Sequence, residues 1–416
     1  MFGNKDKWLL FFGGALIKID VNIGGRLALG EILMFILLPF ALEKIGYLKR
    51  FKELSSILSF LMLWIVGSLF SDIFNQNEFE YLLKGVFRPI TCITILIVCF
   101  ALSYKRPKNL FYFFIGLFFS GIQNLLLPTD VRGGGTDAIG TYQYYAYTYT
   151  PFFLGLASFG SYLLYKRSIL LASALCVVLG LIAFPIMSRT TASVLLLSGV
   201  LIYISNKTII TKRWQYKEIS VAKLLFSIFF LYLMAFYPYT FFAGHGYLGE
   251  RQKEKFEDQY YKSEFTQNPI GFLFSGRTET VGAMVRVTRS PIIGLGSWPK
   301  RGDSNIVALR IVGADISESS DILIDPNVRD IGHSVFFGMW SQSGIFVIPA
   351  FFLCFFYSLK LFKIVVAGGE RDVLLITPYM LIFIFSFFFN NFNSTFRFEF
   401  MIFPLLYVYY RKNLLV

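Results

Sequence analysis

Residues 224–236 read LLFSIFFLYLMAF, a segment that has no charged side chain and is apolar on every face of a helix. A helix that is apolar all round has no face to turn towards water, so we expect this one to lie in lipid, within a span over 223–243. A strand of an outer-membrane barrel would alternate apolar and polar residues instead. The segment therefore predicts a membrane-spanning α-helix.

Comparable apolar runs recur along nearly the whole chain. Of its 416 residues, 55% are hydrophobic and only 16% are charged, with 49 Phe and 24 Tyr, which is too apolar for the water-exposed surface of a protein of this size. A backbone in lipid must satisfy its own hydrogen bonds, which favours helices. We predict an all-α, polytopic integral membrane protein of about twelve spans. They lie near 8–20, 27–43, 54–71, 83–103, 109–127, 147–165, 168–186, 191–205, 223–243, 334–359, 373–389 and 396–410.

The loops between these spans fall into two alternating sets by charge. One set is rich in Lys and Arg, as in 44–52, 105–108, 207–217 and 411–412, and the other holds few cations. Because cationic loops stay on the cytoplasmic side, we expect both termini in the cytoplasm. The net charge of +13 follows from these inner loops and needs no nucleic acid partner.

The same topology divides the chain into three parts. Residues 1–243 hold the first nine spans, residues 244–333 form one large, partly helical external loop, and residues 334–416 hold the last three spans. A loop of this length is more than a connector, so we expect it to be folded and functional. The four cysteines fall in apolar runs outside the loop, so a disulfide framework or zinc site there is excluded.

The two histidines lie at the two ends of the external loop. His333 stands in Asp330-Ile331-Gly332-His333-Ser334, where the chain re-enters the membrane. Histidine titrates near working pH and is a natural general base, although a local helix-capping role fits the position equally. His245, between two glycines, is better interpreted as a turn residue.

Four arginines are candidates for binding a phosphate at the outer surface. Arg189 is a lone cation in a tight outer connection, and Arg277, Arg286 and Arg289 cluster on an apparently helical segment of the loop. A guanidinium binds phosphate with a two-pronged fork. The alternatives are snorkelling for Arg189 and a solvated helix face, or lipid headgroup contacts, for the other three.

The order of these residues resembles the superfamily of O-antigen polymerases (Wzy) and O-antigen ligases of bacterial envelope glycan assembly. The matching elements are Ser188-Arg189 in an outer turn, Gly276-Arg277 followed by Pro291-Ile292-Ile293-Gly294-Leu295-Gly296, and His333-Ser334 nine residues before Gly344. Val347 stands where the ligase pattern has a final glycine, so that element is matched only in part. The resemblance covers roughly residues 180–350.

This resemblance implies a GT-C-like glycosyltransferase in the bacterial inner membrane. It implies that the protein polymerises undecaprenyl-pyrophosphate-linked oligosaccharide units at the outer face, with inversion and without metal or cofactor. His333 would be catalytic, and Arg189 and Arg277, together with Arg286 and Arg289, would bind the pyrophosphate. The implied partners are the lipid-linked donor and acceptor and membrane lipid, with a chain-length regulator as a further candidate.

Two other functions remain open at this stage. A ligase would transfer the glycan to lipid A-core, and the incomplete glycine pattern favours the polymerase over it. A flippase or transporter would need cations deep in the bundle and on both halves, whereas here the cations gather at one face. Arg88 and Lys84 are the further cations, and the predicted topology also puts them at the outer end of a helix.

Overall fold

The structure is a computed structural model in which helices dominate. It describes residues 5–22, 26–126, 138–186, 189–205, 221–300, 302–313, 325, 327–329, 334–366 and 374–412. The helices of the first half are α1 (Asp6–Ala15), α2 (Leu29–Ala41), α3 (Ile45–Leu48), α4 (Lys52–Phe74), α5 (Phe79–Ser103), α6 (Phe111–Leu126), α7 (Ala138–Leu164), α8 (Ile169–Ile186) and α9 (Arg189–Ser205). Those that follow are α10 (Val221–Gly244), α11 (Glu250–Tyr260), α12 (Pro269–Ser275), α13 (Thr278–Arg289), α14 (Ser304–Val312), α15 (Val335–Ser343), α16 (Ile348–Val366), α17 (Thr377–Phe389) and α18 (Ser394–Arg411).

The all-α prediction is confirmed, and each predicted span overlaps at least one helix within the described residues. Within the described residues, four segments are long and apolar enough to cross a membrane: Lys52–Phe74, Phe79–Ser103, Pro107–Leu126 and Val335–Val365. Three shorter apolar helices, Ile169–Phe184, Arg189–Ile204 and Thr377–Phe389, accompany them. The protein is therefore helical and suited to a membrane, while the number of crossings stays a prediction.

Helix α5 lies at the centre of the bundle. Almost every side chain from Thr91 to Ser103 is buried, because α2, α4 and α18 all pack against this helix. Small residues allow similarly close packing of α1 on α6, where a Cβ at Gly14 would meet the carbonyl oxygen of Phe113. Such contacts hold the transmembrane part together without a water-driven hydrophobic effect between helices.

The predicted span 334–359 is two helices rather than one. Helix α15 ends at Ser343, and α16 begins at Ile348 after a short 3-10 turn. Gly344 breaks the helix with φ 66° and ψ −158°, a backbone conformation that essentially only glycine adopts. The apolar run continues through this break, so composition alone does not reveal it. Helix α15 is consequently a separate short element, packed against α13 and α17.

A small hairpin was also not predicted. Strands β1 (Asp20–Asn22) and β2 (Arg26–Ala28) pair antiparallel between α1 and α2. The first helix accordingly ends at Ala15 rather than near residue 20.

The described part of the predicted external loop is folded, as expected for its length. It contains α11 to α14 and connecting turns. Helices α13 and α14 pack together and bury a small apolar cluster of Val281, Ala308 and Val312, with Phe274 against it. The loop is tied to the bundle through α15, against which α13 packs.

Candidate functional site

Arg189 is the first residue of α9, and its side chain is held by neutral partners. Its Nη1 donates to the hydroxyl of Tyr239 at 2.5 Å, and its Nη2 donates to Oε1 of Gln259 at 2.5 Å. The guanidinium carbon also lies 5.3 Å from the ring centre of Tyr239 and 5.6 Å from that of Phe272. A cation at a helix N-terminus opposes the helix dipole, so these contacts from α10, α11 and α12 must fix its position.

Arg277 approaches the same helix end from the external loop. It occupies the residue before α13, and its Nη2 donates to the hydroxyl of Thr190 at 3.5 Å. Its guanidinium lies 5.3 Å from the ring centre of Phe385 on α17. Two of the predicted pyrophosphate ligands are therefore brought together at the N-terminal end of α9, although 88 positions separate them in the chain.

Arg286 and Arg289 have contacts of a different kind. Arg286 is 1% exposed, and its Nη1 donates to Oδ1 of Asn305 on α14 at 3.4 Å. Arg289 is exposed and forms an ion pair with Asp303 at 2.5 Å, which lowers the pKa of that carboxyl. These contacts join α13 to α14 and favour a structural role for both arginines in the loop.

The predicted general base His333 lies outside the described residues. The next residue, Ser334, caps α15 by accepting a hydrogen bond from the backbone N–H of Phe337 at 3.2 Å. Phe336 packs against Phe387 of α17, with ring centres 5.5 Å apart. The start of α15 thus lies against the helix that carries Phe385 beneath Arg277.

His245 behaves as a turn residue, as its sequence context indicated. It is exposed, and its Nδ1 lies 2.8 Å from the carbonyl oxygen of Phe241. Its ring centre lies 4.5 Å from that of Phe241 and 5.9 Å from that of Tyr247. Within the described residues, no three His, Cys, Asp or Glu side chains come together as metal ligands would.

The glycine motif of residues 291–296 forms what we call the clasp. Gly294 and Gly296 have φ of 84° and 81°, which favours glycine at both positions. The N–H groups of Leu295 and Gly296 donate to the carbonyl oxygens of Ser341 and Gln342 at 2.8 and 3.1 Å. The clasp thereby fixes the C-terminal end of α15 and gives these glycines a structural reason to be present.

Sequence reasoning missed a polar cluster at one end of the bundle. Asp72 accepts hydrogen bonds from the backbone N–H and the hydroxyl of Ser297 at 2.5 and 2.7 Å. Arg88 donates to Gln342 at 2.5 Å, and its guanidinium lies 3.8 Å from the ring centre of Trp298. Asp72 and Arg88 are both charged residues at the edge of an apolar run. That pattern is the sequence signal that could have indicated this cluster.

Comparison with known proteins adds no family to this description, since no protein-family model and no curated protein matches the chain.

Proposed function

We propose that this protein is a glycosyltransferase that polymerises undecaprenyl-pyrophosphate-linked oligosaccharide units into a surface polysaccharide. The observation that carries the proposal is the approach of Arg277 to the N-terminal end of α9, where Arg189 lies. The family resemblance predicts both residues as diphosphate ligands.

The environment of Arg189 suits an anion. Its two hydrogen bonds go to a phenol and an amide, which leave the positive charge without a carboxylate among the described residues. A partly buried guanidinium is more stable when an anion accepts its hydrogen bonds. Helix N-termini favour negative charge for the same electrostatic reason. A diphosphate between Arg189 and Arg277 would accept hydrogen bonds from both guanidinium groups. Its negative charge would also be stabilised by the N-terminus of α9.

The proposed topology places this anion site at the outer surface of the bacterial inner membrane. Twelve spans with both termini in the cytoplasm put the loop 244–333 on the periplasmic side. A lipid-linked diphosphate is then reached without removing its tail from the bilayer. Cysteine labelling from outside intact spheroplasts, with one Cys at Lys262 and a control Cys at Lys49, tests the arrangement; reaction at Lys49 alone contradicts it.

The proposed reaction is one displacement at the anomeric carbon of the donor. The acceptor hydroxyl oxygen forms a bond to that carbon as the bond from carbon to the diphosphate oxygen breaks, and the diphosphate leaves with the electron pair. The two arginines stabilise the charge that develops on the leaving group. By the family resemblance, His333 accepts the proton of the attacking hydroxyl, a contribution typically of about 10²- to 10⁴-fold in rate.

Glycan extension by the purified protein tests the proposal directly. The full chain in detergent is given the undecaprenyl-pyrophosphate-linked repeat unit, and the products are separated by length. We expect a ladder from the wild type and none from Arg189→Ala or His333→Ala, both folded. Arg289→Ala is the matched control, because its partner is Asp303, and it should retain the ladder. A wild-type ladder from Arg189→Ala contradicts the assignment. A pure flippase gives no extension at all.

A further inference from the structure

A polar cleft of about 350 Å³ lies between the turn from α4 to α5 and the segment that follows the clasp. Its apolar wall is formed by Leu295 and Pro299. Its polar wall is formed by amide, carboxylate and cationic side chains, namely Asn75, Gln76, Asn77, Glu78, Lys300 and Arg329. The turn thus presents three side-chain amides in succession to the cleft.

The amides of this turn have hydrogen-bonding capacity left over. The NH2 group of Asn75 donates to two backbone carbonyl oxygens at 2.7 and 3.1 Å, and that of Asn77 donates to Asp72 at 2.7 Å. These bonds fix the orientation of both amides, while their oxygens accept none from the described residues. Gln76 makes no side-chain hydrogen bond there either. The backbone of Gln76 has φ 52°, a conformation that is uncommon for residues other than glycine.

Aromatic and cationic side chains stack beside the cleft. The guanidinium of Arg329 lies 3.7 Å from the ring centre of Tyr81, and it donates to Glu78 at 2.8 Å and to the carbonyl oxygen of Trp298 at 3.1 Å. The backbone of Trp298 has φ 49°, a strained conformation for a non-glycine residue that clusters at ligand-binding sites. These contacts fix the side chain of Arg329 in the absence of a ligand.

Among the described residues that line the cleft, cations exceed carboxylates by one. Glu78 neutralises Arg329, with 2.8 Å between the paired atoms. The ammonium of Lys300 is exposed and has no ion-pair partner among the described residues. A ligand that suits this lining presents several hydroxyl groups to the amide oxygens and one negative charge to Lys300.

We infer that this cleft binds a saccharide that carries a carboxylate, such as a uronic acid residue. Sugar hydroxyls can donate hydrogen bonds to the amide oxygens of the turn. The carboxylate accepts a charged hydrogen bond from the Lys300 ammonium. Saccharide binding follows from the chemistry of the cleft alone. The role of the cleft as a subsite for the growing glycan rests on the proposed function.

The position of the cleft agrees with that role. The clasp holds the C-terminal end of α15 beside the cleft, and Phe336 at the other end of α15 packs on the helix that contacts Arg277. Helix α15 has 9 residues, which corresponds to about 13 Å. A chain of a few sugars is as long as this helix.

Titration of the purified full-length protein in detergent tests the inference. The acidic probe is the disaccharide of glucuronate and N-acetylglucosamine, and the neutral probe is the disaccharide of two N-acetylglucosamine residues, each followed by calorimetry. We expect saturable binding of both and roughly tenfold tighter binding of the acidic probe, in line with one charged hydrogen bond. Lys300→Ala should remove this preference and leave the neutral probe unaffected.

Gln76→Gly removes the amide without adding strain, because glycine tolerates a positive φ. It should weaken both probes several-fold, while Gln267→Ala, at an exposed glutamine elsewhere in the loop, should change neither. Equal binding by wild type and Gln76→Gly, or no saturable binding of either disaccharide, overturns the inference. Inorganic phosphate that binds as tightly as the acidic probe and is lost in Lys300→Ala also overturns it, since the cleft would then be a simple anion site. Arg189→Ala should retain disaccharide binding even when glycan extension is lost, so the two proposals fail separately.

Discussion

The guanidinium of Arg397 meets the carboxylate of Glu31 edge to edge. Nε lies 2.6 Å from Oε1 of Glu31, and Nη2 lies 2.9 Å from Oε2. The carboxylate has no exposed surface, and the arginine side chain is 11% exposed. The backbone N–H of Ala28 and the hydroxyl of Ser394 donate to the same carboxylate. This ion pair joins α2 to α18 at the hairpin, and its geometry satisfies both charges.

Removing one partner of this pair should destabilise the protein strongly. Arg397→Ala leaves the Glu31 carboxylate buried without its cation, a change that typically costs about 3–5 kcal/mol. Lys84→Ala is the control, because its partner Glu80 is 64% exposed and a pair of this kind is worth about 0–1 kcal/mol. Thermal unfolding of the two purified variants in detergent measures the difference. Equal melting temperatures would mean that the pair contributes nothing specific.

Gly344 should be essential to the arrangement of α15 and α16. Alanine at φ 66° and ψ −158° is strained by about 1–3 kcal/mol, and its Cβ would meet the carbonyl oxygen of Ile292. We expect Gly344→Ala to lower the melting temperature and the yield of folded protein. Gly46→Ala is the control, since nothing lies within 4 Å of a Cβ there. A variant at Gly344 as stable as the control contradicts this explanation of the break.

Sequence reasoning located the helices because their signal is local. An apolar run predicts a helix wherever it occurs in the chain, and each predicted run overlaps a helix. The break at Gly344 was not predictable in this way, because the run is apolar on both sides and the strain depends on a contact with Ile292. The partner of Glu31 lies 366 positions away, and nothing local in either segment indicates the pairing.

The candidate site was predictable to a similar extent. Arg189 and Arg277 were selected by position and by family resemblance, and their approach depends on Thr190 and Phe385, which no motif marks. Arg286 and Arg289 carried the same sequence signal. Arg286 donates to Asn305, and Arg289 pairs with Asp303. Both partners lie at the start of α14, and the charge pattern alone does not predict that α14 packs against α13.

The ion pair of Arg289 and Asp303 should make a small, pH-dependent contribution to stability. The hydrogen bond from Arg289 lowers the pKa of Asp303 from its usual value near 3.8. A depressed carboxyl pKa stabilises the folded state above that value, and the contribution is lost as pH falls through the folded-state pKa. Asp303→Asn should therefore melt slightly below wild type at pH 7, with the difference starting to shrink below about pH 4 and shrinking in high salt as well. A difference that grows on acidification contradicts the pairing.

Trp298 contacts two arginines: its carbonyl oxygen accepts a hydrogen bond from the cleft residue Arg329, and its ring stacks on Arg88. Its ring covers the Arg88 guanidinium, so Trp298→Ala removes a cation–π contact worth about 0.5–2 kcal/mol and keeps the unfavourable φ. Trp298→Gly removes the same contact but relieves the strain, so it should melt above Trp298→Ala. Thermal unfolding of both variants decides this, and the opposite order would show that the backbone at residue 298 is not strained.

Arginine-to-lysine exchange separates the proposed diphosphate ligands from the arginines that pair within the loop. Arg277→Lys keeps the positive charge near Thr190 but loses the fork that binds two phosphate oxygens at once. We expect it to extend glycans at least tenfold more slowly than wild type, because the lost interaction acts on the developing charge of the leaving group. Arg289→Lys keeps the charge that Asp303 needs, so its rate should stay within twofold of wild type. The rate of ladder formation by the purified variants, at matched melting temperature, gives the comparison. A slower rate for Arg289→Lys than for Arg277→Lys would contradict the site at Arg189 and Arg277. The diphosphate would then have to bind at the C-terminal end of α13.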